Sequence, residues 1–126
     1  MIKNGVAALI AVQHGQLRGS LQALLRAIPQ VQPIIHADDG AALLEFAANY
    51  RPSLILMDLE GIPGLLKDIK SNCPQAYCIV LAEDAVQQQA AIAAGADVAL
   101  VKGFPATKLF QMLRQRLLDL EHDGSA

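Results

Sequence analysis

Apolar residues in this chain fall into five short runs, separated by longer stretches in which they recur every three or four positions. The runs lie at about 6–12, 31–36, 53–58, 76–82 and 97–101, and each has the length of a strand. The stretches between and after them, at about 16–28, 40–50, 64–72, 85–95 and 105–121, carry helical spacing. Strict alternation of the two patterns predicts an α/β domain with a parallel sheet and right-handed crossovers. The hydrophobic richness fits a parallel sheet whose strands are covered on both faces. Pro29, Pro33, Pro52, Pro63, Pro74 and Pro105 punctuate the pattern at the proposed boundaries, and Pro105 suits the first turn of the last helix. Gly95 stands where a helix end needs a residue at positive φ. The polar tail, 122–126, is expected to fray.

The last helix carries a wide apolar face. Leu109, Phe110, Met112, Leu113, Leu117 and Leu120 cover more than a narrow stripe, and Leu118 lies off it. Packing on the sheet accounts for such a face; burial of a partner or of a second copy of the chain is the alternative.

Composition narrows the class. At 126 residues and 53% hydrophobic, the chain is read as a single domain, 1–126, with its core over about 6–120. No apolar stretch approaches the roughly 20 residues of a membrane span. The apolar run at 6–12 ends in Gln13 and His14 with no cleavage pattern after it, so a cytoplasmic location without a signal peptide is expected. Ten scattered basic residues against twelve acidic ones do not make a nucleic-acid face. Cys73 and Cys78 lack the spacing of a zinc site and read as reduced thiols, Cys78 in the core.

Two residues concentrate the chemistry. Leu54-Ile55-Leu56-Met57 ends in Asp58, and Val98-Ala99-Leu100-Val101 ends in Lys102. Ligands of an open parallel sheet bind at the carboxyl ends of its strands, so an Asp and a Lys placed there suggest a site for phosphate, or for metal plus phosphate. A plain ion pair is the other reading.

Three stretches then resemble the receiver domain of response regulators, the CheY-like domains that accept a phosphoryl group from a histidine kinase. They are Asp39-Gly40-Ala41-Ala42-Leu43, Arg51-Pro52-Ser53-Leu54-Ile55-Leu56-Met57-Asp58, and Ala93-Ala94-Gly95-Ala96-Asp97-Val98-Ala99-Leu100-Val101-Lys102. The resemblance covers about 6–120 and implies a doubly wound, five-stranded parallel sheet of order 2-1-3-4-5 flanked by five helices. It further implies a nucleophilic Asp58 as phosphoacceptor, Lys102 on the phosphoryl oxygens, and Mg²⁺ held partly by the backbone carbonyl of Glu60.

Other positions depart from that pattern. Val12 and Gln13 stand where the family has adjacent acids, Ala82 replaces the switching hydroxyl, and Ala99 replaces the switching aromatic. The segment after Asp58 is shortened, with Pro63 one residue late. Mg²⁺ is usually bound through one or two carboxylates, so with Asp58 alone only weak binding, or none, is expected. The usual hydroxyl-to-aromatic relay cannot operate through two alanines.

Glu83 follows Ala82, and its carboxylate could reach Lys102 as a phosphoryl mimic, or restore a metal ligand; capping of the next helix together with Asp84 is the simpler reading. Asp38-Asp39 reads as a helix cap and His36 as half exposed on an edge strand. His14 reads as a solvated loop residue, and no catalytic constellation stands out, so no enzyme activity is expected.

Three functions remain. The first is an atypical receiver in two-component signalling that works mainly as an interaction module. The second is a receiver phosphorylated on Asp58, and the third is a small cofactor binder on the same architecture. Partners expected on the first reading are a histidine kinase or output domain, with a homodimer through the last helix as a further possibility.

Overall fold

The structure is a computed structural model and describes residues 6–12, 15–58 and 62–125. Five strands alternate with five helices: β1 (Val6–Ala11), α1 (Gly15–Arg26), β2 (Val31–His36), α2 (Gly40–Tyr50), β3 (Leu54–Met57), α3 (Ile62–Asn72), β4 (Tyr77–Ala82), α4 (Ala85–Ala93), β5 (Val98–Val101) and α5 (Ala106–Ser125). All four pairings are parallel, and the sheet order is β2-β1-β3-β4-β5. The fold expected from the alternation is the fold observed.

Successive strand residues point to opposite faces, and the core divides accordingly. Leu9, Ala11, Ile55, Met57, Cys78 and Val80 face α2, α3 and α4, meeting Leu43, Leu66, Ile69 and Ala91. Ala8, Ile10, Leu54, Leu56, Ile79 and Leu81 face α1 and α5, meeting Leu21, Leu25, Leu109 and Leu113. Both faces are covered over β1, β3, β4 and β5, which is why those strands carry no polar alternation, whereas the edge strand β2 leaves Gln32 and Pro33 exposed. Phe110 and Met112 pack partly against the second cluster, so the described part of the wide α5 face is used on the sheet. The side chains of Leu117, Leu118 and Leu120 lie outside those described.

Several boundaries differ from expectation, each for a local reason. α1 stops at Arg26, and Ile28 N–H turns back to the carbonyl of Leu25 as the chain tightens before Pro29. α4 stops at Ala93, and Gly95 takes φ 115, a left-handed backbone that closes the helix as anticipated. α5 begins after Pro105, whose carbonyl accepts from Lys108 N–H, and continues to Ser125, so the expected frayed tail is largely helical. α3 begins at Ile62, which places Pro63 in its first turn, where its missing N–H costs nothing. Pro33 does not mark a boundary: it lies inside β2, at the edge of the sheet. Both cysteines are free and buried, and burial pushes the Cys78 thiol up to about 11.

Candidate functional site

Hydrogen bonds that continue the sheet beyond the strand ends position the site. Asp58 N–H donates to the Ala11 carbonyl at 3.1 Å, and Lys102 N–H donates to the Ala82 carbonyl at 2.8 Å. Asp58 is thereby fixed beside the end of β1, and Lys102 beside the end of β4. Their side chains meet across the intervening strand ends, with Lys102 Nζ 3.4 Å from Asp58 Oδ2. The Asp58 side chain is 2% exposed, so its carboxylate depends on protein groups rather than water for partners.

A second carboxylate joins them. Glu83 Oε2 accepts from Lys102 Nζ at 2.6 Å, which puts the ammonium between two acids. Burial alone would lower the Lys102 pKa. The hydrogen bond to Glu83 and the charges of Asp58 and Glu83 together outweigh it, so the group stays charged to above its ordinary 10.5.

Local structure explains why Glu83 is free to point inward. Asp84, not Glu83, is the N-cap of α4, its Oδ1 accepting from Gln87 N–H at 2.9 Å. Gln87 Oε1 in return accepts from Glu83 N–H at 2.8 Å, a reciprocal arrangement akin to a capping box. The shared capping role expected for Glu83 and Asp84 therefore belongs to Asp84 alone. Asp39 caps α2 in the same way, accepting from Ala42 N–H at 2.8 Å.

The remaining predicted positions fall around this triad. Val12 is fully buried, and its carbonyl accepts from Arg18 Nε at 3.0 Å. A guanidinium, itself 3.7 Å from Asp38 Oδ1, thus lies against the end of β1 where acids were sought. Ala82 is fully buried at the end of β4. Ala99 is buried in β5, and its carbonyl accepts from Gln88 Nε2 at 2.8 Å, tying α4 directly to β5. Gln13, His14 and Glu60 lie outside the described residues. Among the described residues no three of His, Cys, Asp and Glu cluster as metal ligands. Sequence reasoning missed Arg18, Gln87 and Gln88, whose roles depend on contacts that spacing alone does not announce.

His36 ends β2 half buried, with an Nδ1 that is shut off from solvent and has no hydrogen-bond partner. Burial first, then the charges of Arg18 and Arg26, lower its pKa below 6.5, while Asp38 opposes them. The folded state therefore takes up a proton less readily than the unfolded chain. Stability attributable to His36 is complete above pH 6.5 and is lost as pH falls through the lower folded pKa. We expect His36→Gln to flatten the decline in urea midpoint between pH 7 and about 5. An unchanged decline would assign the acid sensitivity to other groups.

No model of a known protein family matches the chain, and no curated protein does. Solved structures do. A two-component response regulator of the LuxR family from Aurantimonas sp. SI85-9A1 superposes with a TM-score of 0.79 at 17% identity, covering 92% of this chain and 87% of that one. The receiver domain of a sensor histidine kinase from Pseudomonas aeruginosa, with magnesium coordinated in its active-site cleft, gives 0.75 at 23% identity over 88% and 96%. The isolated receiver domain of RcsB from Salmonella enterica, with phosphomimetic BeF3−, gives 0.76 at 21% identity over 88% and 87%. The fold is that of a receiver domain.

Proposed function

We propose that this chain is an atypical receiver-type domain of two-component signalling that works mainly as a protein-interaction module, with Mg²⁺-dependent phosphorylation impaired. The observation that carries this reading is the Lys102 ammonium held between Asp58 and Glu83, at 3.4 and 2.6 Å. A phosphoryl group on Asp58 would seek that ammonium, and Glu83 already occupies it. Glu83 thus acts as a built-in phosphoryl mimic.

The surroundings of Asp58 are also a poor fit for Mg²⁺. Val12 supplies an apolar side chain and a carbonyl engaged by Arg18, and the Lys102 ammonium lies 3.4 Å from Asp58 Oδ2. One carboxylate shared with an ammonium does not meet the demand of Mg²⁺ for octahedral oxygen. In place of the hydroxyl and aromatic relay, Gln88 fixes α4 to the Ala99 carbonyl and Gln87 fixes the Glu83 loop, so one arrangement is maintained without a signal. The surface offered to partners is α4, β5 and α5. It includes Val86, 79% exposed, on a helix that has no charged residue between Ala85 and Ala93. Kinases and output domains of signalling proteins, and a second copy meeting α5, are the partners this reading expects. The chain itself catalyses no turnover.

The retained pairing of Asp58 with Lys102 supports a second reading, a receiver that still takes phosphate on Asp58. Amide NMR spectra recorded with millimolar Mg²⁺ and then beryllofluoride separate the two. The interaction module predicts no change in the wild type. It also predicts that Glu83→Ala, which frees Lys102, gains beryllofluoride-dependent shifts at Asp58 and Lys102. Shifts in the wild type that centre on Asp58 and spread into α5 would establish the second reading instead.

A further inference from the structure

Arg116, on α5, is held in place but incompletely bonded. Its guanidinium lies over the Tyr77 ring at 4.8 Å, and its Nε is buried without a hydrogen-bond partner. Stacking uses only the face of the guanidinium plane. The N–H donors point outward within that plane, so the ring satisfies none of them. Buried donors are nearly always paired, and one left over points to an acceptor supplied from outside the chain.

The surroundings fit that role. Tyr77, Lys108, Gln111, Met112, Gln115 and Arg116 line an open groove of about 310 Å³. Tyr77 and Met112 pack against the core cluster beneath α5, so the apolar wall of the groove is fixed. Two of the described lining residues are cationic and none is acidic. Lys108 precedes Arg116 by roughly 12 Å along the helix axis, and its flexible stem lets the ammonium approach a group held at Arg116. Small-molecule sites begin at a volume of about 300 Å³ and combine an apolar wall with a few placed polar groups.

The groove is remote from Asp58. Tyr77 pairs with Leu54 at the start of β3, whereas Asp58 follows the end of that strand, roughly 13 Å further on.

We infer that this groove is a second ligand site, which takes a small organic oxyanion. Its oxygens meet the in-plane donors of Arg116, its body lies against Tyr77 and Met112, and Lys108 neutralises further charge. A guanidinium pairs with carboxylate and phosphate alike through two parallel N–H donors, so a carboxylic acid and a phosphate ester share the required chemistry. The site goes beyond the reading of Asp58, and either can fail while the other stands.

The test is NMR of the amides and of the arginine Nε–H groups in the full chain, at fixed low ionic strength. Phenyl phosphate and benzoate supply the two head groups on one ring; inorganic phosphate and acetate supply the head groups alone. At least one ring-bearing probe should shift Tyr77, Lys108, Met112 and the Arg116 Nε–H saturably, with a Kd of about 1 mM. Preference for phenyl phosphate would identify phosphate esters as the ligand class, and preference for benzoate would identify carboxylates. Arg116→Lys keeps a cation over Tyr77 but loses the in-plane fork, and should weaken binding about tenfold. Arg114→Gln is the control: Arg114 lies over Phe110 at 5.8 Å on the same helix but does not line the groove, so the affinity should not change. Amide spectra of both variants, unchanged away from the substitution, separate lost binding from lost fold. Equal affinity in the wild type and Arg116→Lys would overturn the inference. Inorganic phosphate or acetate binding as tightly as the ring-bearing probes would also overturn it, leaving only general attraction of anions. So would the absence of saturable shifts with all four probes. Shifts at the groove with an oligoglutamate peptide alone would have the same force, and would assign it to an acidic segment of another protein.

Discussion

Lys102→Met is expected to destabilise the domain by about 3 kcal/mol, the low end of the cost of removing one member from a buried pair. The Asp58 side chain is 2% exposed and would lose its cation while facing a second carboxylate. Lys102 itself is 22% exposed and Glu83 59%, so water relieves part of the cost and the upper end of the range is not reached. Urea unfolding at pH 7 measures the loss. Adding Asp58→Asn to Lys102→Met should recover most of it, because the neutral amide does not need the ammonium. A single variant within about 0.5 kcal/mol of the wild type would show that the pair contributes no more than an exposed surface bridge. The Lys102 pKa is raised in the fold, so its contribution is present below the unfolded value and fades only as pH rises through the folded one. That window is alkaline, beyond 10.5, and the pairing holds across neutral pH.

The second large effect is expected at the opposite pole of the sheet. Asp97 Oδ2 accepts from Cys78 N–H at 2.8 Å and from Lys70 Nζ at 3.1 Å, while Asp97 N–H donates to the Cys78 carbonyl at 3.0 Å. One residue thus sets where β5 begins against β4. Asp97→Ala would strand the partly buried Cys78 N–H and release Lys70, whose remaining partner is the Ala76 carbonyl. We expect a cost of about 2 kcal/mol in urea unfolding, the penalty of an unsatisfied buried donor. Asp97→Asn keeps an acceptor oxygen and should lose about half as much. Equal losses for the two variants would mean that charge rather than acceptance is what Cys78 requires.

The fold was legible because burial on both sheet faces leaves an unmistakable mark. Residues 54–57 are all buried, and no polar residue interrupts the run. The helix ends were legible where one residue settles the geometry, as Gly95 and Asp39 do. Asp58 and Lys102 could be placed because each directly follows a strand, and the sheet order brings strand ends together. Glu83 was visible as a candidate but its partner was not. Whether it capped α4 or reached Lys102 depended on Asp84 taking the cap, a competition between adjacent acids that spacing does not decide. Arg18 was invisible for a similar reason: a helical arginine bonding a strand-end carbonyl six residues earlier has no sequence signature. Asp97 appeared only as part of a Gly-Ala-Asp turn, and its hold on Cys78 is a long-range contact.

Pro33, sitting within the edge strand β2, has a consequence for how the chain behaves at high concentration. An edge strand exposes a row of backbone donors and acceptors onto which another chain can add as a new strand. Proline removes one donor from that row and spoils the template. The other edge, β5, spans only Val98–Val101 and offers little length for pairing. A chain that is 53% hydrophobic would otherwise be a candidate for sheet-to-sheet aggregation. With both margins of the sheet unsuited to strand addition, extension of the sheet by another chain is disfavoured at either edge.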